Sequence, residues 1–146
     1  MPRIPRPQSL RIAACAAVAA MLLAASPLAS IAQETPAAAA AQSSTEGGVT
    51  VKVTPKVISA ADSRWEFSVV LDTHSADLND DLVQSTSLTT SDGRTLKPTS
   101  WTGAGPGGHH REGVLAFDVA APRPTTFELR VARPGESAPR MFRWQP

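Results

Sequence analysis

Two short stretches of this sequence hold residue types that could do chemistry, DTHSADLNDD at residues 72–81 and GGHHR at residues 107–111. They contain all three histidines, His74, His109 and His110, and four aspartates, Asp72, Asp77, Asp80 and Asp81. Imidazoles beside carboxylates suit a divalent transition metal such as zinc or copper, the carboxylates serving as ligands or raising the basicity of the imidazoles. The candidate ligands are His74, His109, His110, Asp72 and Asp77, with Arg111 and Trp101 flanking them. The spacing matches no zinc signature, and neighbours on a strand point to opposite faces, so a regular strand keeps His109 and His110 from ligating together. A plainer reading stays open, in which the histidines tie loops through their ring nitrogens, alongside pH-sensitive or partner-binding use.

Other motifs match in letters only. Gly103 to Gly108 satisfies GxGxxG, but a strand pattern follows where a dinucleotide loop needs a helix N-terminus. These glycines are expected to make a sharp crossover between sheets. Asp77, Asn79 and Asp81 open like a calcium loop, yet Leu82 stands where Gly is required and Leu88 where Glu is required. There is no GxSxG elbow and no SxxK, so no hydrolase is indicated, and no catalytic residue is assigned.

The 146 residues suffice for one small domain. Arg3, Arg6 and Arg11 precede the uncharged run Ile12 to Ala25, Pro27 breaks it, and Ser30-Ile31-Ala32 offers a signal-peptidase site. Residues 1–32 therefore read as a cleaved signal peptide, and the mature chain as periplasmic or extracellular. An uncleaved anchor is the competing reading, while the lipobox-like Ile12 to Cys15 fails because its apolar run follows the cysteine. Cleavage removes Cys15, the only cysteine, and with it disulfides, thiolate metal centres and thiol catalysis. Beyond residue 32 there are 11 basic and 13 acidic residues, a net charge of −2 that disfavours nucleic acid as a partner. The stretch Asp62 to Asp92 holds seven acids against one base, while Arg123, Arg130, Arg133, Arg140 and Arg143 make the C-terminal third basic. Their default place is solvated surface.

Residues 33–48, QETPAAAAAQSSTEGG, offer no large apolar side chain and read as a disordered linker. From Val49 to Pro146 the period is two. The first strand carries Val49, Val51 and Val53 and stops at Pro55; the second carries Trp65, Phe67, Val69 and Leu71 on one face. A third and a fourth, about Val83 to Ser91 and Arg94 to Trp101, meet at the hairpin dipeptide Asp92-Gly93. The fifth runs near Arg111 to Val119, the sixth holds Phe127, Leu129 and Val131, and the seventh Phe142 and Trp144. Seven strands and no sustained helical periodicity predict an all-β, seven-stranded antiparallel immunoglobulin-like sandwich, of the fibronectin-III-like arrangement. The second and fifth strands should then be antiparallel neighbours, which brings His74 to the same rim as His109 and His110.

DTHSxDL at Asp72 to Leu78, WxG at Trp101 to Gly103, PGGHHRxGxLxF at Pro106 to Phe117 and RxFxW at Arg140 to Trp144 together resemble a group of small exported prokaryotic immunoglobulin-like domains of unassigned function. The resemblance implies a self-contained extracytoplasmic fold and transfers no site residues. The expectation is a non-enzymatic exported binding domain holding a divalent transition metal at its His/Asp edge. The alternative is a structural or protein-interaction module of the cell envelope in which the histidines are structural. The partners are then a metal ion or an envelope protein, with no membrane span once the leader is cleaved.

Overall fold

The computed structural model describes residues 39–145, so the expected signal peptide and the first part of the linker lie outside the described residues. The strands are β1 (Gln42–Glu46), β2 (Val49–Val57), β3 (Arg64–Thr73), β4 (Thr86–Thr90), β5 (Thr95–Leu96), β6 (Ser100–Gly103), β7 (His110–Asp118), β8 (Phe127–Val131) and β9 (Arg140–Trp144). One helical turn, α1 (Leu82–Ser85), precedes β4. Two antiparallel sheets result, ordered β1-β2-β3-β7-β6 and β5-β4-β8-β9. No helix among the described residues is long and apolar enough to cross a membrane.

Alternation decides which faces meet. Trp65, Phe67, Val69 and Leu71 of β3 lie opposite Phe117, Leu115, Gly113 and Arg111 of β7 and point inward. Phe127, Leu129 and Val131 of β8 and Phe142 and Trp144 of β9 oppose them from the other sheet, and all five are buried. The sheets are joined through aromatic edges: Trp65 meets Phe127 at 4.9 Å between ring centroids, and Phe67 meets Phe127 at 5.8 Å, both edge to face. Each such side chain contributes about 1.5–3 kcal/mol by leaving water. The indole N–H groups are not stranded, since Trp65 Nε1 donates to the Ser59 carbonyl and Trp144 Nε1 to that of Ala40.

The second and fifth predicted strands do pair, as β3 and β7, over an unbroken register from Arg64↔Asp118 to Asp72↔His110. The hairpin at Asp92-Gly93 also forms and joins β4 to β5. Several other expectations are corrected. Gln42–Glu46, assigned to a disordered linker, is a strand, because backbone pairing with β2 needs no large side chain. The two-residue turn Gly47-Gly48, with φ of +55° and +74°, closes that hairpin in a conformation that glycine alone adopts cheaply. The β2 strand runs past Pro55 to Val57; β1 pairs no further than Val53, so at Pro55 the missing N–H lies on an unpaired side.

The third predicted strand begins as α1, capped by the Asp81 carboxylate, which accepts from the N–H groups of Val83 and Gln84. The fourth divides at Lys97 to Thr99 into β5 and β6, which belong to different sheets. The chain therefore changes sheet there, and the glycine-rich stretch 103–108 joins β6 to β7 within a single sheet. Glycine is required beside that loop for close approach. A Cβ on Gly113 would come within 2.6 Å of the Trp101 ring, which packs close against β7 there.

The arginines read as solvated surface are in part the most enclosed charges of the molecule. Arg140 and Asp80 have 0% and 1% of their side-chain surface exposed, Arg133 8% and Glu136 11%. Arg133 forks onto both Asp80 carboxylate oxygens at 2.9 and 3.0 Å and reaches Glu136 at 3.2 Å. Arg140 in turn places Nε and one terminal nitrogen on Glu136, and gives its remaining N–H groups to the carbonyls of Ser44, Glu46 and Val49. All five guanidinium donors are thereby used, which offsets the cost of dehydrating the charge.

Arg140→Ala should cost about 3–5 kcal/mol in urea unfolding, because it leaves three carbonyls unpaired and Glu136 with Arg133 alone. A loss below about 1 kcal/mol, the surface-pair range, would mean that the tie is not needed. The Glu136 carboxyl is held below its ordinary value, first by its hydrogen bond from Arg140, against burial, and further by both arginine charges. A depressed carboxyl pKa gives stability that is complete above the ordinary value of 4.5 and lost as pH falls through the depressed one. Glu136→Gln should therefore flatten the acid limb of the stability–pH curve below about pH 4.5.

Candidate functional site

One end of the sandwich gathers the candidate residues. Past β3, the segment 74–81 folds back against the loop entering β7 through a set of backbone bonds. Thr73 N–H donates to the His109 carbonyl, Leu78 N–H to that of Gly108, and Gly107 N–H to that of Leu78. Leu78 plugs the end of the core with no exposed surface. Arg111 leaves β7 on the inward side and is buried, donating to the carbonyls of Leu78 at 3.0 Å, Asp80 at 2.7 Å and Ala104 at 3.4 Å. Its guanidinium sits 5.9 Å from the Trp101 ring, and the Trp101 indole donates to the same Ala104 carbonyl. Arg111 and Trp101, singled out from sequence beside the histidines, thus hold the two loops together. Of the Arg111 nitrogens, Nε is buried without a partner.

Of the five candidate ligands, the fold brings two together. Asp72 and His110 face each other across β3 and β7 on the outward side, and His110 Nδ1 lies 2.5 Å from the Asp72 carboxylate. Glu112, two residues on and on the same face, approaches His110 Nε2 at 3.8 Å. His74, His109 and Asp77 are exposed at the same end and make no side-chain hydrogen bond among the described residues. Nor do three metal-ligating side chains converge among the described residues. The reason is geometric: alternation turns His109 away from His110, Asp80 is committed to Arg133, and Asp81 caps α1.

The electrostatics follow the pairing. The Asp72 hydrogen bond raises the His110 pKa above 6.5 against partial desolvation, helped by the charges of Asp72 and Glu112. Beside this end, a cleft of about 370 Å³ runs between the segment 76–80 and the β8–β9 loop, lined by Asp77, Asn79, Asp80, Arg133 and Glu136. Its charged walls are the Asp80–Arg133–Glu136 chain already described and the exposed Asp77. Sequence reasoning missed that chain because its members lie 53 residues apart at the Asp80–Arg133 contact. The local signals were the i, i+3 spacing of Arg133 and Glu136 and the i, i+4 spacing of Glu136 and Arg140.

Comparison with known proteins returns no matching family model, curated sequence or solved structure.

An NMR titration should find His110 protonating above 6.5, and Asp72→Asn should bring it back toward the ordinary imidazole value. A raised imidazole pKa gives stability that is whole below the unfolded value and lost as pH rises through the folded one. The exposed Asp72–His110 pair should therefore add slightly to stability at pH 6 and nothing at pH 9. An unperturbed His110 in the wild-type domain would refute the contact.

Proposed function

We propose that the chain is an exported, non-enzymatic interaction module of the cell envelope, an immunoglobulin-like sandwich working in the periplasm or outside the cell. The reading is supported at the level of class by two facing antiparallel sheets, and in its localisation by the leader-like N-terminus and the resemblance to small exported domains. The observation that carries it is where ionic groups are committed. Asp80, Arg133, Glu136 and Arg140 are spent on one another and on backbone carbonyls, in the manner of structural ties. Groups with hydrogen-bonding capacity to spare stand on the outer faces of the sheets, where another protein can reach them.

One observation favours the second reading, a divalent metal at the His/Asp edge. With Nδ1 on a carboxylate, His110 is oriented as metal-ligating imidazoles commonly are, Nε2 being the nitrogen left to bind. His74 and Glu112 are then the side chains that would have to complete the set.

Two measurements separate the readings. A photo-crosslinking residue at Thr102 or Val114, on the outer face of the five-stranded sheet, should yield a discrete heteromeric adduct in the export compartment. Retention in the cytosol, or no adduct from either position, would remove the interaction reading. In parallel, the melting temperature of the domain should not move in millimolar zinc or copper; a rise of several degrees that His110→Ala abolishes would establish the metal edge instead.

A further inference from the structure

The outer face of the four-stranded sheet carries an ion cluster that neither reading uses. Glu128 projects outward from the middle of that face, opposite Thr89 of β4 and Arg143 of β9. Only 10% of its side chain is exposed, because Arg130 and Arg143 close over it, each through its Nε. Burial pushes the Glu128 carboxyl up, but the bonds and charges of the two arginines outweigh it and hold it ionised.

The arginines themselves remain open to water, with 45% and 69% of their side chains exposed. Their terminal nitrogens make no hydrogen bond to oxygen among the described residues; one Arg143 nitrogen touches the Met141 sulfur at 3.8 Å. Two guanidinium forks are therefore held side by side by a shared carboxylate that takes each Nε, with their terminal nitrogens unspent on oxygen. They border a groove of about 760 Å³, whose other walls include Ala39, Ala40, Thr89, Ser91 and Thr126. That volume lies within the range of ligand sites.

We infer that this groove binds an extended peptide segment of a partner protein through an acidic side chain seated between Arg130 and Arg143. The charge balance selects the ligand: two guanidinium groups against one carboxylate leave a positive site on a domain that is otherwise acidic. The wall chemistry selects a peptide over a sugar. Hydroxyls and methyl groups suit an extended backbone with small side chains, whereas the aromatic faces on which a sugar ring would stack, Phe127 and Trp144, are 3% and 7% exposed. The proposal rests on the interaction reading and adds a second contact surface to it, on the sheet opposite Thr102 and Val114.

The probe is an N-acetylated, C-amidated hexapeptide of alternating Glu and Val, with its Lys/Val counterpart as control, followed by calorimetry and amide shifts of the whole domain. The acidic peptide should bind, shift the amides around Thr89, Arg130 and Trp144, and weaken as salt is added. Arg130→Gln and Arg143→Gln should each lower affinity by about tenfold or more. Glu128→Gln, which frees both forks, should leave affinity equal or higher and guards against a loss that merely reflects misfolding. The inference is overturned by no shift at millimolar peptide, by equal binding of the lysine peptide, or by indifference to the double arginine variant. Tighter binding of tetragalacturonate would overturn it in favour of an acidic glycan. Self-association of the free domain that Arg143→Gln abolishes would assign the groove to a second copy. Adducts from Thr102 or Val114, on the opposite sheet, would survive any of these failures and keep the interaction reading standing.

Discussion

Hydrogen-bonded ladders run within each sheet and stop at its edges, so the relative placement of the two sheets must come from side chains. The apolar core presses them together without fixing direction. At one end direction is supplied by the buried run of ions from Asp80 through Arg133 and Glu136 to Arg140, whose far end grips the carbonyls of Ser44, Glu46 and Val49. This chain joins the segment after β3, the β8–β9 loop, β9 and the β1–β2 hairpin. Burying four charges is costly, and apolar replacements are often no less stable. What the ions add is geometric: a guanidinium fork accepts few arrangements, so the loops it ties have one position in which every donor is used.

Arg111 repeats the device beside it. Its guanidinium takes the carbonyls of Leu78, Asp80 and Ala104, groups that a loop end would otherwise leave to water. Trp101 lies over Gly113 and against Arg111, and closes the same corner. The end of the molecule that carries the histidines is thus tied together by contacts that do not involve the imidazoles. His110 gains its one close partner, Asp72, because the two occupy opposite positions in the β3–β7 ladder.

The outer face of the four-stranded sheet is arranged on another principle. There the charges are exposed and only partly satisfied, held in place by Glu128 rather than sealed from solvent. A cluster of this kind adds little to stability and offers directed donors to whatever approaches. One chain therefore uses arginine in two ways, and burial decides which.

Much of the fold was legible along the chain. The period of two in Trp65 to Leu71, Leu115 to Val119, Phe127 to Val131 and Phe142 to Trp144 marked the inward faces, and Asp92-Gly93 marked a hairpin, because side-chain parity and turn stereochemistry are local properties. The adjacency of β3 and β7 followed from strand count and order, whereas the register that sets Asp72 against His110 came only with the structure. Other features had no local signature. Gln42–Glu46 has no inward apolar residue to announce a strand and is held by β2, by the Gln42 amide on the Arg143 backbone and by Arg140. Nor could spacing tell Arg140, sealed on carbonyls 91 to 96 residues away, from Arg143, which stands in water three residues later. Sequence alone determined which side chains turn inward along each strand; tertiary structure decided which charges are buried and which are free to bind, since that depends on partners brought close only when the sheets have packed.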